Sequence, residues 1–421
     1  MSLPGGTLMT ETMHGSAAEA EGVDVLSNAV YADGVPHEAL AELRRTQPIF
    51  HQTIPDERMY DEAWVLTRYE HVLEASKDTD HFVNAHGLNL RASYTEDEDR
   101  HLLNVDDPEH LRLRRITNRG FTPRVVRRYG EHYRDLAGQL LDSAINKADE
   151  APGGGVRFDV VDQLSVPLPL LAICELLGTT PDDQNQLVLW SNAIITNDDP
   201  DYSPDEASRV QAFTEMNAYF QELLAARRAN PGDDLASVLA QHLDSGQLNQ
   251  GEFNSYLALL FVAGNETTRN AISHGLLQLA INPDQYELLK TGEYYDTAVE
   301  EMIRWASPVI YMSRTVIKER DFHGVTFAPG EKIVLHYASA NRDEDIFEDS
   351  MRFDVTRDPN PHIAFGFGAH FCLGAHLARL EIRSLLEELV SRASSLSLSE
   401  PETYVRSSFI SGVKKLVLDI A

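Results

Sequence analysis

The chain has 421 residues, 43% hydrophobic and 24% charged, with a net charge of −30 and two cysteines. So acidic a balance excludes general attraction to nucleic acid or to an anionic membrane surface, and two cysteines exclude a disulfide framework, which fits a reducing cytoplasm. No apolar run reaches the roughly 18–20 residues that a bilayer helix needs, so no membrane anchor is expected.

Residues 1–22 mix Gly, Thr, Ser and Glu without a basic start or an apolar block, and read as a flexible tail. Residues 23–421 read as one domain. Pro36 to Arg45 has helical spacing, and Ala63 to Tyr69 is rich in β-branched and aromatic residues, as a strand is. Asn84 to Asn104 has the mixed polarity of an irregular loop. Asp106-Asp107-Pro108 then opens a helix. His110 and Arg114, four apart, project from one face of it and suit a carboxylate partner, unless they are simply a solvated face. From Arg112 to Arg128 there are seven arginines (112, 114, 115, 119, 124, 127 and 128) and no acid, a local reversal in an acidic chain.

Residues 158 to about 230 read as helices joined by polar turns, among them Asn197 to Asp201, and carry no chemical signature. Cys174 lies in an apolar helix and reads as core. Asn249 to Asn282 supports one long helix, opened by Asn249 with Glu252 three residues on and closed before Pro283. Gly264 inside it costs about 1 kcal/mol against alanine and asks for a reason, such as a helix pressed on a flat ring and locally opened. Glu266 and Thr267 follow, an adjacent acid and alcohol in a buried stretch, able to hold water and relay protons.

Glu301 and Arg304, three apart on a helix from Thr297 to Trp305, can pair. Ser307-Pro308 ends that helix and leads into strand-like residues. After turns at His323-Gly324 and Pro329-Gly330, Lys332 to Tyr337 is the clearest strand. The last chemical stretch is Phe365-Gly366-Phe367-Gly368-Ala369-His370-Phe371-Cys372-Leu373-Gly374. Its three glycines permit unusual backbone angles and close approach of a flat ligand. Beyond it Ala378, Ile382, Leu385 and Leu389 form one helical stripe. Cys372 therefore sits at the mouth of a helix, where a thiolate is favoured and can ligate a metal; the bland alternative is a buried free cysteine.

Phe365, Gly368, Cys372 and Gly374 fill the pattern Phe, two residues, Gly, three residues, Cys, one residue, Gly. The stretch resembles the cysteine loop of the cytochrome P-450 superfamily, the haem-thiolate monooxygenases, and the chain resembles their soluble bacterial branch. The resemblance implies a mainly α fold with a minor β portion, a triangular helical domain enclosing haem b (iron protoporphyrin IX). It implies Cys372 as the iron ligand; His110, Arg114, Arg314 and His370 as propionate contacts; and Ala263 and Gly264 against the ring. Glu266 and Thr267 would deliver protons. Glu301 and Arg304 would form a structural ion pair completed by Arg352 or Arg357. Residues 158–230 would form a lid, and Leu259, Val262, Val309, Ile310, Met312, Phe409 and Ile410 would touch substrate.

The implied reaction inserts one oxygen atom from dioxygen into a C–H bond of a hydrophobic small molecule, of terpenoid, fatty or sterol type. Electrons would come from a ferredoxin and its reductase, with outer arginines such as Arg112 and Arg115 as the docking patch. A peroxygenase using hydrogen peroxide and a non-catalytic haem-binding sensor are the alternatives. The Glu266-Thr267 pair argues for the monooxygenase.

Overall fold

The long helix is the element against which the others pack. A computed structural model describes residues 23–56, 58–85, 87–91, 101–152, 154–179, 184–195 and 199–421. The tail read over 1–22, part of the 84–104 loop and part of the 197–201 turn lie outside the described residues. The long helix spans Gln250–Ile281, 32 residues, and is opened by a complete capping box between Asn249 and Glu252. At about 1.5 Å per residue it is on the order of 50 Å long. Helices Pro167–Leu177, Gln184–Ile195, Glu206–Ala229, Leu235–Asp244, Tyr295–Ala306 and Ala375–Arg392 all pack on it. It is buried nearly all round from Asn265 to Ala280, which explains why its sequence shows so little amphipathic contrast.

Among the described residues, two multi-stranded sheets and two two-stranded pairs, Arg320–Phe322 with Val325–Phe327 and Thr403–Tyr404 with Val413–Lys415, complete the fold. The larger runs Ile49–Thr53, Glu62–Leu66, Lys332–His336, Tyr311–Val316, Phe82–Val83, antiparallel except where Trp64 pairs with Ile333 in parallel. The smaller runs Leu396–Leu398, Val417–Ile420, Val156–Asp159, Asp149–Glu150. Cys174 is core, 3% exposed.

Two local readings are corrected. The strand read over 63–69 ends at Leu66, and Tyr69 opens a helix, Tyr69–Lys77. The signal for that helix is remote: the Tyr69 amide donates to the Asp343 carboxylate at 2.8 Å, so the capping group comes from 274 residues away in sequence. Asp106 does not cap the helix Glu109–Thr117, which begins after Pro108 with no side-chain cap. Its carboxylate instead accepts from the Asn84 and Ala85 amides at 3.0 and 2.9 Å.

Where the long helix crosses Tyr295–Ala306, Gly275 lets the backbones meet, because a Cβ there would lie 2.5 Å from Met302 Cγ. Gly275→Ala is expected to destabilise the protein by about 1–3 kcal/mol through overpacking. Urea titration should show a lower midpoint with an unchanged slope.

Candidate active site

Two elements face each other across a cavity with about 1440 Å³ of space free of protein atoms, its mouth included. One is the cysteine loop. Its turn is closed by Cys372 N–H donating to Phe365 O at 2.9 Å and Phe371 N–H donating to Gly368 O at 3.1 Å. Gly366 and Gly368 adopt φ of +69° and +78°, the left-handed region that favours glycine. Gly374 does not: its φ is −84°, so the unusual angle expected there is absent. A Cβ at Gly374 would meet nothing within 4 Å, and Gly374 lines the cavity, so the missing side chain leaves room for a ligand.

The helix Ala375–Arg392 starts three residues beyond Cys372, as the stripe of apolar residues required. Burial pushes the Cys372 thiol up, and the Gly374 amide, Arg114, Arg379 and the Ala375 amide only partly offset it. The helix N-terminus alone therefore does not secure the thiolate that the sequence suggested. A metal ion held by the sulfur would supply the missing stabilisation.

The opposite wall is the long helix, which presents Leu259, Ala263, Gly264, Thr267 and Thr268. Thr267 Oγ1 donates to Ala263 O at 2.8 Å. The helix runs unbroken through this stretch, without the local opening expected. Gly264 has a second reason to be glycine: a Cβ would lie 3.0 Å from Ile173 Cδ1. Glu266 does not line the cavity. Successive helix residues point about 100° apart, and Glu266 turns to Arg269, with which it forms a fully buried ion pair. Arg269 in turn donates to Asn192 Oδ1 of the helix Gln184–Ile195 at 3.0 Å. Burial raises the Glu266 acid, and Arg269 and Asn270 pull it back only in part.

Arg114, Arg314 and His370 line the cavity with Phe365 and Cys372. Arg114 donates to Ala369 O and Phe371 O at 3.2 and 2.7 Å, and Arg314 to Ser313 O at 2.8 Å and to the Tyr337 hydroxyl. His110 stands behind His370, ring centroids 4.1 Å apart. Its Nδ1 faces Asp107 at 3.2 Å. His110 Nε2 and His370 Nδ1 are buried without a partner.

Val309 and Met312 line the cavity, while Val262, Ile310, Phe409 and Ile410 do not. Ile310 is fully buried in the same core as Tyr311. Ile410 pairs with Val309 through its backbone, Phe409 packs edge-on to Tyr311, and Val262 packs into the helical core.

Arg304 grips both oxygens of Glu301 at 2.7 Å, and Arg357 Nε reaches Glu301 Oε2 at 3.2 Å. Arg352 contributes only its carbonyl, so Arg357 is the third partner. A second support went unread in the sequence. Glu300 accepts from Arg379 Nε at 2.5 Å and meets His362 Nε2 at 3.0 Å, and Arg379 lies over the Phe365 ring at 4.6 Å. Among the arginines of the basic run, Arg115, Arg124, Arg127 and Arg128 are exposed. Arg112 is not a free outer charge: Glu109 and Glu252 hold it.

The family model described as Cytochrome P450 matches residues 25–410. The chain belongs to the cytochrome P450 family. A methyl-branched lipid omega-hydroxylase of Mycobacterium tuberculosis is 41% identical over 396 residues, 91% of each chain. A steroid C26-monooxygenase of Rhodococcus jostii is 37% identical over 412 residues, 95% of this chain and 85% of that one. Among solved structures, a Mycobacterium marinum cytochrome P450 in complex with pseudoionone superposes with a TM-score of 0.87 at 30% identity, covering 96% of this chain and 100% of that one. A Bacillus megaterium cytochrome P450 solved with testosterone gives 0.81 at 31% identity, over 91% and 97%. The chain is thus a cytochrome P450 monooxygenase that takes haem b, and not a non-catalytic haem sensor. Its residues fit that group: a half-buried thiol at the cavity wall, a glycine that leaves space beside it, and guanidinium and imidazole donors for carboxylates. Among the described residues, no helix is long and apolar enough to cross a membrane.

Two outcomes follow. Replacing Cys372 with alanine is expected to abolish the red-shifted Soret band of the reduced, carbon monoxide-treated protein; retention of that band would show that another group binds the iron. The second concerns Glu300. Burial works to raise its acid, yet His362 and Arg379 outweigh that and hold it down at about 2, below its usual 4.5. A carboxyl depressed in the folded state adds stability above its unfolded pKa, and that stability is lost as pH falls from 4.5 through about 2. Glu300→Gln should melt below the wild type at pH 7, with the gap closing across that acid window in thermal scans.

Proposed function

We propose that this cytochrome P450 hydroxylates the terminal carbon of a methyl-branched alkyl chain, free or carried on a sterol, with electrons from a ferredoxin. The observation that carries the substrate class is the wall above Cys372, where Leu259, Ala263, Val309 and Met312 offer apolar contact. Two relatives named for ω-carbon and C26 oxidation support the position of attack. Those two names share a chemistry, oxidation at the end of a branched aliphatic chain. A narrow apolar wall suits it, because only a slender chain end can approach closely without desolvating a polar group.

Haem held through Cys372 would supply the oxygen-activating chemistry. The chain's own residues do the rest. Arg114, Arg314 and His370 would hold its carboxylates, the two arginines through charge-assisted bonds. Thr267 keeps a hydroxyl at the cavity, able to accept and donate hydrogen bonds to water there. Glu266 relays protons to that hydroxyl from the Arg269–Asn192 side; burial raises its pKa, and Arg269 and Asn270 offset that only in part. The apolar wall excludes bulk water.

Electron delivery is assigned to the exposed Arg115, Arg124, Arg127 and Arg128, together with exposed Phe371, the chain neighbour of Cys372. On a chain of net charge −30 this basic patch suits a small acidic donor.

Two measurements test the proposal. Titration of the ferric protein with methyl-branched fatty acids, sterols and straight-chain controls should displace iron-bound water most tightly for the branched chains, and mass spectrometry should find terminal alcohols. Mid-chain or ring oxidation would end the reading. Replacing Arg115, Arg124 and Arg128 with glutamine should slow reduction by ferredoxin on the order of tenfold at low salt and flatten its salt dependence. An unchanged rate at every ionic strength would place docking elsewhere.

A further inference from the structure

Arg269, Arg304 and Arg342 are the largest side chains that the fold buries completely. Two of them have a carboxylate: Arg269 pairs with Glu266, and Arg304 with Glu301 at 2.7 Å. Arg342, 1% exposed, bonds no carboxylate among the described residues. Its Nη2 donates to Trp305 O at 2.9 Å, and its Cζ lies 4.4 Å over the Trp305 ring. Its Nε and Nη1 are buried without a partner. An indole face and one carbonyl ease the burial of a cation, but neither supplies a counter-charge.

The acids around Arg342 are already taken. Burial opposes its charge most, Arg304 and Arg44 add to that, and Glu301 is the one group that works the other way. Yet Glu301 is held by Arg304 and Arg357. Asp343 accepts from the Tyr69 and Asp345 amides at 2.8 and 3.1 Å, and Glu344 pairs with Arg44 at 3.0 Å. A guanidinium keeps its proton at any ordinary pH, so the charge of Arg342 stays unanswered by these groups.

A second open donor faces the same region. His37 opens the helix His37–Thr46, seven residues before Arg44 and so on the same face. From that face Arg44 donates to Ser339 O at 3.2 Å and to Arg342 O at 2.9 Å, which seats the helix against the segment carrying Arg342. His37 Nδ1 is buried without a partner. Burial lowers the His37 imidazole, and Arg342 is the next cause, ahead of His274, Arg44 and His336. The two other imidazoles are engaged: His274 Nε2 meets Ser411 Oγ at 3.1 Å, and His336 meets Tyr31 Oη at 3.3 Å and the Ser339 amide at 3.2 Å. Glu402, the acid that acts on His274, accepts from the Tyr404 hydroxyl at 2.7 Å.

We propose that the Arg342 guanidinium holds one small monovalent anion, of the charge and size of chloride, with His37 Nδ1–H as its second donor. The two side chains offer N–H groups and positive charge but no buried acceptor aimed at them, which suits an anion and not a metal cation. Water satisfies such donors without answering the charge. A sulfate or phosphate brings a second charge into the interior with no second free cation to meet it. None of Arg342, His37 and Trp305 lines the cofactor cavity, so the site is structural. It joins the first helix and the segment after Tyr337–Ala340 to the end of the helix Tyr295–Ala306, which carries Glu300 and Glu301.

The test uses haem-loaded protein. Crystals soaked in bromide and measured at its absorption edge should show an anomalous peak within hydrogen-bonding reach of Arg342. In thermal scans at fixed pH and fixed ionic strength, with gluconate replaced by chloride, the midpoint should rise and level off, by about 3 °C at a hundredfold excess of chloride over its dissociation constant. Arg342→Met, which removes the charge and keeps the bulk, should lose both the peak and the chloride response. His37→Phe should weaken the anion on the order of tenfold, as expected for one hydrogen bond to a charged group. If Arg342→Met does not fold, the His37 variant and the wild-type peak decide the matter. A wild-type crystal with no bromide at Arg342, or a midpoint indifferent to chloride at constant ionic strength, would overturn the proposal. So would an equal chloride response in Arg342→Met, the mark of a general salt effect.

Discussion

The constraint that orders this molecule is the burial of a sulfur that must become an anion. Cys372 is enclosed by the cavity, and burial opposes ionisation of its thiol. A metal would favour a thiolate there, with the Gly374 and Ala375 amides and two guanidinium groups assisting. From that requirement come the glycines that bend the loop, the helix that begins just beyond it, and the space kept clear beside Gly374. The opposite wall then has to be long, buried and uninterrupted, which the helix Gln250–Ile281 satisfies with a capping box at its start.

Buried charge elsewhere is handled by pairing. Glu301 is shared by Arg304 and Arg357, and Glu300 by His362 and Arg379. Both acids lie on the helix Tyr295–Ala306 and support the cysteine loop from beneath, one through the backbone around residues 341–352, the other through Phe365. Removing one partner of such a group costs more than the pair contributes, because the remaining charge is stranded. Glu266 follows the same rule with Arg269, and the same pairing ties it to the helix Gln184–Ile195.

Much of this was legible in the sequence, because local features carried it. The cysteine loop, the long helix with its Asn249–Glu252 cap and the Glu301–Arg304 pair all depend on residues within a few positions of one another. What stayed hidden depends on residues far apart. The helix at Tyr69 is capped by Asp343, Arg112 is held by Glu252, and the choice of Arg357 over Arg352 rests on how the chain returns past Glu301. The residues expected to face substrate divide for a related reason. Spacing identifies the face of a helix or strand but not its rotation about the axis, so Leu259, Val309 and Met312 reach the cavity while Val262 and Ile310 turn away. Glu381, a buried acid that lines the cavity, could have been found: an acid inside the stripe formed by Ala378, Ile382 and Leu385 breaks the pattern that places a helix against a core.

Arg114 has two employments. Its guanidinium donates to the carbonyls of Ala369 and Phe371, on either side of His370 in the cysteine loop, and it borders the space where an acidic edge of the macrocycle would lie. One side chain thus ties the bend of the loop to the rim of the cavity, so the shape of that turn and the grip on a carboxylate are not separable at this position.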